Sequence, residues 1–373
     1  MSATDRPRAL STSSELHTAD ELLDRLTTPE EIAKVEKSPA ALVRLANILL
    51  SSGRTVRAVE LARRALFLAP DDGEIQSIGA AVLRESVPSW HFFIVRDQAR
   101  NAAYDAALRR NVRPGTRVLD IGAGSGLLAM MAARAGAAEV TSCEVNNAVA
   151  TMASEIVEAN GFADRVKIVA KHSRDLEVGK DVDQPADLLV SEIVSNNLLG
   201  EDVLGCMENT VGRLTRADAC IVPSHGAVRI ALAQYDGLPR KTLGSIDGFD
   251  LSPFNRLARP RELDMGDEAL TLRSAPQDLF MFDFSSGGPF DNYRSSAQLV
   301  SSGGPINGIA QWIWLRMDAH GVYENKPTWG SKSCWSVLFH PLASPIDSAP
   351  GDRHVIHGSR DRTSIWLWAE KQS

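Results

Sequence analysis

The stretch Val118-Leu-Asp-Ile-Gly122-Ala-Gly124-Ser-Gly126-Leu-Leu128 decides the fold of this chain of 373 residues. Its apolar start predicts a short buried strand, and the Ala- and Met-rich run that follows the glycines predicts a helix. The three glycines between them allow a tight turn and a close approach of the backbone to a ligand. The stretch therefore predicts the ligand-binding turn of an α/β domain.

The next predicted strand narrows the class of ligand. It ends at Glu144, where a carboxylate can accept hydrogen bonds from both hydroxyls of a ribose, so either a dinucleotide or S-adenosylmethionine would fit. The turn reads GxGxG after Asp120, whereas dinucleotide sites read GxGxxG. A sulfonium cofactor also has no pyrophosphate to place at a helix N-terminus, so S-adenosylmethionine is favoured. A dehydrogenase is disfavoured because no catalytic constellation supports one.

Strand and helix patterns alternate on both sides of this turn, through residues 87–224. Strands are predicted at residues 117–121, 139–143, 166–170, 187–191 and 219–222. This alternation predicts a mostly parallel, Rossmann-like sheet with helices on both faces. From residue 225 to 373, short β-prone segments separated by Gly and Pro predict an antiparallel barrel or sandwich.

The N-terminal part has a different composition and a helical pattern. Residues 1–19 are rich in Ser, Thr and Asp, which predicts a disordered tail. Residues 20–86 read as helices, and Leu45, Ala46, Ala58, Ala65 and Pro70 resemble one tetratricopeptide repeat. The alternative is an ordinary helical hairpin packed on the enzyme.

Composition excludes several classes of protein. Hydrophobic residues make up 44% and charged residues 23%, which is ordinary for a globular chain with buried cores. No apolar run approaches the ~18–20 residues that span a bilayer, and no secretory signal is present. The net charge of −7 is unfavourable for nucleic-acid binding. None of the four cysteines has metal-ligand spacing. We therefore expect a cytoplasmic protein with reduced thiols, no metal and neither membrane nor nucleic acid as a partner.

Two further motifs carry charged groups. Glu192 directly follows the predicted strand 187–191, and Glu201 lies nine residues later at a turn. Two carboxylates there could form a fork for a planar guanidinium, which has five N–H donors. The alternative is a helix-capping acid and an unrelated surface acid. The segment Asp97-Gln-Ala-Arg100-Asn-Ala-Ala-Tyr104 precedes the first strand and could equally be a core helix with a capping arginine.

Together these motifs resemble the protein arginine methyltransferase family over residues 88–360. The resemblance implies S-adenosylmethionine as cofactor, catalysis by a glutamate pair, and a β-barrel after the Rossmann-like domain. The cofactor site that it implies comprises Arg100 on the carboxylate, Asp120, Gly122, Gly124 and Gly126 in the turn, Glu144 on the ribose, and Lys171, His172 and Ser173 near the adenine. The catalytic residues that it implies are Glu192, Glu201 and Asp97, with His91 and Trp335 in substrate binding.

The resemblance also implies an activity and an assembly. Methyl transfer to an ω-nitrogen of arginine is implied, and the segments Lys171-His172-Ser173 and Leu199-Gly200-Glu201 resemble the monomethylating branch. The acceptor is arginine in a protein or peptide, or free L-arginine. A homodimer is implied, with residues 238–261 as a candidate arm. Cys334 stands where the family carries histidine, which leaves acceptor specificity open. Alternatives are a catalytically silent scaffold and a methyltransferase for another small nucleophile.

Overall fold

The computed structural model describes residues 37–87, 91–237, 243–257, 260–264, 266–328 and 332–370. The chain divides into two compact units. The first comprises residues up to His91 together with Asn146–Met152, and the second comprises Phe92–Val145 and Ala153–Ser373. The predicted tail 1–19 and the helices predicted before residue 37 lie outside the described residues.

Three helices build the first unit: α1 (Pro39–Ser51), α2 (Thr55–Leu68) and α3 (Gly73–Glu85). Pro39 is at the start of α1, and the hydroxyl of Ser38 accepts a hydrogen bond from the backbone N–H of Ala41. Leu42, Leu49 and other apolar side chains form a separate small core. The predicted helical segments fall inside these helices, while their assignment as a tetratricopeptide repeat stays a prediction.

A five-stranded parallel sheet forms the first half of the second unit, as predicted. Its strands run in the order β3-β2-β1-β4-β5. These strands are β1 (Arg117–Ile121), β2 (Glu139–Cys143), β3 (Val166–Val169), β4 (Ala186–Ser191) and β5 (Thr215–Val222). The helices are α4 (His91–Ile94), α5 (Gln98–Asn111), α6 (Leu127–Arg134), α7 (Asn147–Ala159) and α8 (Val203–Thr210).

Antiparallel strands form the second half, which confirms the predicted all-β region. The larger sheet follows the order β10-β6-β13-β15-β9, with β11 paired to β6 and β14 to β13, and a smaller sheet has the order β12-β16-β17. The strands are β6 (His225–Tyr235), β7 (Ser245–Ile246), β8 (Phe249–Asp250), β9 (Arg261–Leu263), β10 (Leu270–Leu272), β11 (Gln277–Asp283), β12 (Tyr293–Val300), β13 (Gly304–Arg316), β14 (Val322–Glu324), β15 (Val337–Ser348), β16 (Arg353–Arg360) and β17 (Ile365–Ala369).

One hydrophobic core runs through both halves of the second unit. It joins Leu188 and Leu189 of the parallel sheet to Ile313 of the barrel and Trp335. The strand order reverses between β1 and β4, so the loops that follow these two strands open at the crevice where α/β sheets bind ligands.

The helix α8 is shorter than the sequence predicts. The apolar spacing of residues 198–214 predicts one helix over the whole segment, yet α8 begins at Val203 and ends at Thr210. Leu198 and Asp202 both have left-handed backbone angles, with φ of 76° and 57°, which a continuous right-handed helix does not allow. Residues 192–202 therefore form a loop. Among the described residues, no helix is long and apolar enough to cross a membrane.

Candidate active site

The glycine turn after β1 leaves open space beside the backbone. Gly122, Gly124 and Gly126 all have left-handed angles, with φ of 87°, 50° and 77°. A Cβ on Gly122 would meet a methyl carbon of Ile193 at 2.6 Å, so glycine is required there by both conformation and space. A Cβ on Gly124 would meet no heavy atom within 4 Å. The turn therefore forms one wall of a cradle that a ligand can enter.

Two carboxyl groups flank this turn. An oxygen of Glu144 accepts a hydrogen bond from the backbone N–H of Gly124 at 3.1 Å. Asp120 is fully buried; one oxygen accepts from the Ser142 hydroxyl at 2.6 Å, while the other has no partner within the part of the chain that the structure describes. Burial raises the pKa of Asp120 to about 7. Glu144 and Asp120 therefore place two carboxyl groups against the turn.

A buried ion pair joins α5 to the loop 192–202. An Nη atom of Arg100 donates to Oε2 of Glu192 at 2.8 Å, and the two side chains are only 4% and 5% exposed. Tyr104, one turn further along α5, donates its hydroxyl proton to the carbonyl of Ser191 at 3.0 Å. Both contacts hold α5 against the end of β4. Within the described structure, Nε of Arg100 and Oε1 of Glu192 are buried without hydrogen-bond partners.

The charge of Glu201 acts on Glu192, while their predicted pairing as a fork stays a prediction. Burial raises the pKa of Glu192; Arg100 opposes this shift, and the charge of Glu201 adds to it. Glu201 is solvent-exposed, yet crowding by protein atoms and the negative charge of Glu144 raise the pKa of its carboxyl to about 7. The charge of Glu201 disfavours ionisation of Glu192, and the charge of Glu144 disfavours ionisation of Glu201, so a cation among these carboxyl groups would be stabilised.

Asp97 caps α5 and ties it to the barrel. Its Oδ1 accepts from the backbone N–H of Arg100 at 2.9 Å, and its Oδ2 accepts from the hydroxyl of Tyr323 at 3.0 Å and from the N–H of Cys334 at 2.9 Å. Burial opposes its ionisation, but these bonds outweigh burial and lower the pKa of Asp97. The carboxylate is therefore charged and fully engaged. Burial raises the pKa of the Cys334 thiol, which is neutral at physiological pH.

Trp335 contacts the loop 192–202 and supports it. The side chain is 3% exposed, and its indole N–H donates to the carbonyl of Val194 at 2.9 Å. Asn325, which is completely buried, donates in turn to the carbonyl of Trp335. Asn325 and Tyr323 were not predicted from the sequence, because a single polar residue in or beside a short strand forms no local motif.

The segment after β3 makes mostly local contacts. Lys171 forms an ion pair with Asp181 at 2.6 Å. His172 accepts the backbone N–H of Arg174 at its Nδ1 atom, and the hydroxyl of Ser173 lies 3.6 Å from the sulfur of Cys206. His91 falls in the first unit, separate from the unit that contains the glutamates.

Comparison with known proteins agrees with this geometry. Residues 105–214 match the family model described as ribosomal protein L11 methyltransferase (PrmA). An arginine N(omega)-methyltransferase of Streptomyces achromogenes subsp. streptozoticus is 34% identical over 278 residues, which cover 73% of this chain and 76% of that protein. Protein arginine N-methyltransferase 7 of Drosophila grimshawi is 36% identical over 327 residues, and the match covers 74% of this chain but 46% of that protein.

Solved structures share the fold. A chain of the Trypanosoma brucei PRMT1 enzyme–prozyme heterotetrameric complex with AdoHcy matches with a TM-score of 0.69 at 21% identity, covering 77% of this chain and 95% of that one. Protein arginine methyltransferase 10 of Arabidopsis thaliana matches with a TM-score of 0.62 at 16% identity, covering 77% and 98%. With the sequence relatives, this fold confirms the predicted resemblance: the chain belongs to the family of S-adenosylmethionine-dependent arginine N-methyltransferases.

Proposed function

We propose that the protein methylates an ω-nitrogen of arginine, mainly once, and that Glu192 and Glu201 hold the acceptor. One observation carries this assignment. Oε2 of Glu192 is engaged by Arg100, while its buried Oε1 has no partner among the described residues and remains to accept a guanidinium N–H. Glu201 interacts electrostatically with Glu192 and is accessible from solvent. A guanidinium bound by both carboxylates would have its plane and its attacking nitrogen fixed.

The residues around the glycine turn suit the cofactor of the family. Glu144 would accept from the ribose hydroxyls, and Gly122 and Gly124 would line the methionine part; the turn is open at Gly124. Arg100, whose Nε atom is buried without a described partner, would bind the carboxylate. When bound, S-adenosylmethionine supplies an electrophilic methyl group on sulfur. The protein's own contribution is mainly positioning, which can lower a barrier by about 7–11 kcal/mol.

The geometry also indicates which groups handle the proton. Methyl transfer to a guanidinium nitrogen gives a doubly charged group that sheds a proton readily, so no strong base is needed. Asp97 is committed to three hydrogen bonds and serves as a positioning residue for α5. Glu201, with a pKa of about 7 and access to solvent, is the group suited to take the proton and pass it to water.

Replacing Cys334 by serine should leave most of the turnover intact. The neutral thiol cannot act as a base; the backbone N–H of residue 334 bonds Asp97, and a serine hydroxyl can replace the thiol's own hydrogen bond to that carboxylate. The measurement is the turnover number of Cys334→Ser, with cofactor affinity and melting temperature as controls. A loss of turnover of more than tenfold in a folded, cofactor-binding variant would contradict this role for Asp97 and reveal a chemical role for the thiol.

Replacing Glu144 by alanine should weaken the binding of S-adenosylhomocysteine by about tenfold or more. A hydrogen bond to a charged group contributes about 1.5–3 kcal/mol, and the ribose would lose its acceptor. Calorimetric titration measures this change. Glu139→Ala, at the other end of β2, is a matched control and should bind as the wild type does. Equal affinity in Glu144→Ala would remove this residue from the cofactor site.

The acceptor is settled by mass spectrometry of products. We favour free L-arginine, because the Streptomyces relative matches this chain over 76% of its own length and its name gives arginine itself as the acceptor. The matched protein arginine N-methyltransferase 7 is covered over less than half its length, which supports peptide arginine less. Incubation with labelled cofactor should give ω-monomethylarginine from the free amino acid. Methylation of arginine peptides alone, or early dimethylarginine, would overturn this part of the proposal.

We also propose a cytoplasmic homodimer. Residues 243–257 expose Phe249, Phe254 and Leu257 at 72%, 64% and 73%, which is unusual for large apolar side chains on a monomer. They fall within the segment that the resemblance identifies as an arm. Sedimentation of the full chain tests the dimer, and a monomer at micromolar concentration would exclude it. The four cysteines are free, which is consistent with a reducing compartment.

A further inference from the structure

Three side chains with different donor atoms meet beside the segment that follows β3. They are His172, Asp202 and Cys206, and one nitrogen, one oxygen and one sulfur from them all lie within 4.8 Å of one another. Cys206 is buried, and the other two are partly exposed, so the cluster opens toward solvent on one side. The sequence spacing did not indicate this cluster, because His172 lies thirty positions before Asp202 and on another element.

The local backbone explains why two of the three converge. Asp202 is the N-cap residue of α8, and Cys206 lies four residues later, so both side chains are on one face of the helix. Gly205 lies between them in sequence, and a Cβ there would meet Oδ1 of Asp202 at 2.5 Å. Because residue 205 is glycine, the carboxylate of Asp202 has room to fold back over the first turn of α8.

The donor set matches the preferences of zinc. Zinc binds thiolate, imidazole and carboxylate, usually with four ligands in a tetrahedron. Bond lengths of about 2.0–2.3 Å place tetrahedral donors about 3.3–3.8 Å apart. Donors already within 4.8 Å need small side-chain rotations to reach that geometry, with water as the fourth ligand. Nδ1 of His172 accepts the backbone N–H of Arg174, so this bond opens when the ring turns or changes tautomer to bind the metal.

A neighbouring arginine competes with a metal for this cluster. An Nη atom of Arg174 lies 2.7 Å from Oδ2 of Asp202, and its side chain is half-exposed. Its charge holds the carboxylate in place when no metal is bound and would repel a divalent cation. Such an exposed pair contributes little stability, so displacing it costs little.

We propose that His172, Asp202 and Cys206 bind a soft divalent cation, zinc in particular, and that bound zinc excludes S-adenosylmethionine. On binding, the thiol releases its proton to solvent and the thiolate coordinates the metal. The exclusion rests on the proposed function, because the resemblance to the family implies that Lys171, His172 and Ser173 lie near the adenine of the cofactor. A metal on His172 would occupy that space and fix the ring in another position. Zinc would then act as a reversible inhibitor.

Zinc binding to the full chain is measured by competition with a zinc-responsive dye. The wild type should bind one equivalent. Cys206→Ala and Asp202→Asn should each lose at least about tenfold in zinc affinity, and Cys220→Ala, a cysteine on β5 outside the cluster, should keep the wild-type affinity. Arg174→Gln should bind zinc several-fold more tightly, because the competing cation is gone. Wild-type zinc affinity in both Cys206→Ala and Asp202→Asn would overturn the site.

The exclusion is measured by calorimetric titration of S-adenosylhomocysteine with and without zinc. Zinc should weaken binding by the wild type and by Cys220→Ala, and it should have no effect on Cys206→Ala relative to that variant's own zinc-free affinity. Unchanged affinity in zinc-loaded wild type would overturn the exclusion. Arginine methylation without zinc is assayed separately, so a protein that binds zinc but methylates no arginine would refute the proposed function and leave the metal site standing.

Discussion

Glu201→Gln should lower the turnover of arginine by at least about 100-fold, equivalent to roughly 2.7 kcal/mol of barrier. Glutamine keeps the shape of the side chain but removes the charge that faces the guanidinium. A cation held by one carboxylate instead of two is poorly oriented and loses one of its two counter-charges. Glu192→Gln should have an effect of similar size. It also deprives Arg100 of its partner, so Glu201→Gln is the cleaner test.

Three controls sharpen this prediction. The loss of turnover in the double variant should be much smaller than the product of the two single losses, because the two carboxylates act as one unit. Cofactor affinity should change little in Glu201→Gln. The value of kcat/KM for the wild type should fall below pH 7, where Glu201 takes up a proton, and this fall should vanish in Glu201→Gln. Near-wild-type turnover in Glu201→Gln, or efficient methylation of lysine in place of arginine, would refute the clamp.

Arg100→Met should destabilise the cofactor-free protein by about 3 kcal/mol at alkaline pH, the lower end of the range for breaking a buried ion pair. Glu192 would lose its counter-charge, and it escapes the full cost by taking up a proton. Burial already raises the pKa of Glu192 to about 8 in the wild type, and the loss of Arg100 raises this pKa further. The destabilisation relative to the wild type should therefore grow as the pH rises through about 8.

Denaturant unfolding measures this loss, and two variants control it. Arg109→Met removes an arginine of the same helix whose pair with Asp105 is exposed, so it should change stability by at most about 1 kcal/mol. Adding Glu192→Gln to Arg100→Met should recover much of the loss, since no buried charge remains without a partner. A single variant as stable as the wild type at alkaline pH would show that Glu192 is not held as an ion pair.

Much of the site could be predicted because its parts are local in sequence. The strand, glycine turn and helix around Gly122 follow from backbone conformation and hydrophobic pattern, which neighbouring residues determine. The parallel order of such strands brings their carboxyl ends to one edge, so Glu144 and Glu192 could be assigned to one crevice before any coordinates. Glu192 and Glu201 are only nine residues apart, so the acidic loop that contains them could also be predicted from the sequence.

Other features depended on contacts that no local pattern records. Arg100 meets Glu192 across 92 positions, and Asp97 meets Tyr323 across 226, so neither partner could be named from the chain alone. The resemblance implied a catalytic role for Asp97, and the structure shows that its carboxylate caps α5. It implied substrate binding for Trp335, whose indole N–H donates to the carbonyl of Val194. Both roles stay predictions.

The sequence by itself determined the order of the folded regions, the cofactor turn and the acidic pair, because hydrophobic periodicity, glycine conformation and short spacings act between neighbours in the chain. Tertiary structure decided which charges are paired, which carboxyl groups are buried, and where donors from separate elements meet, as at His172 and Cys206. Those properties depend on desolvation and on distances in space, and chain packing sets both.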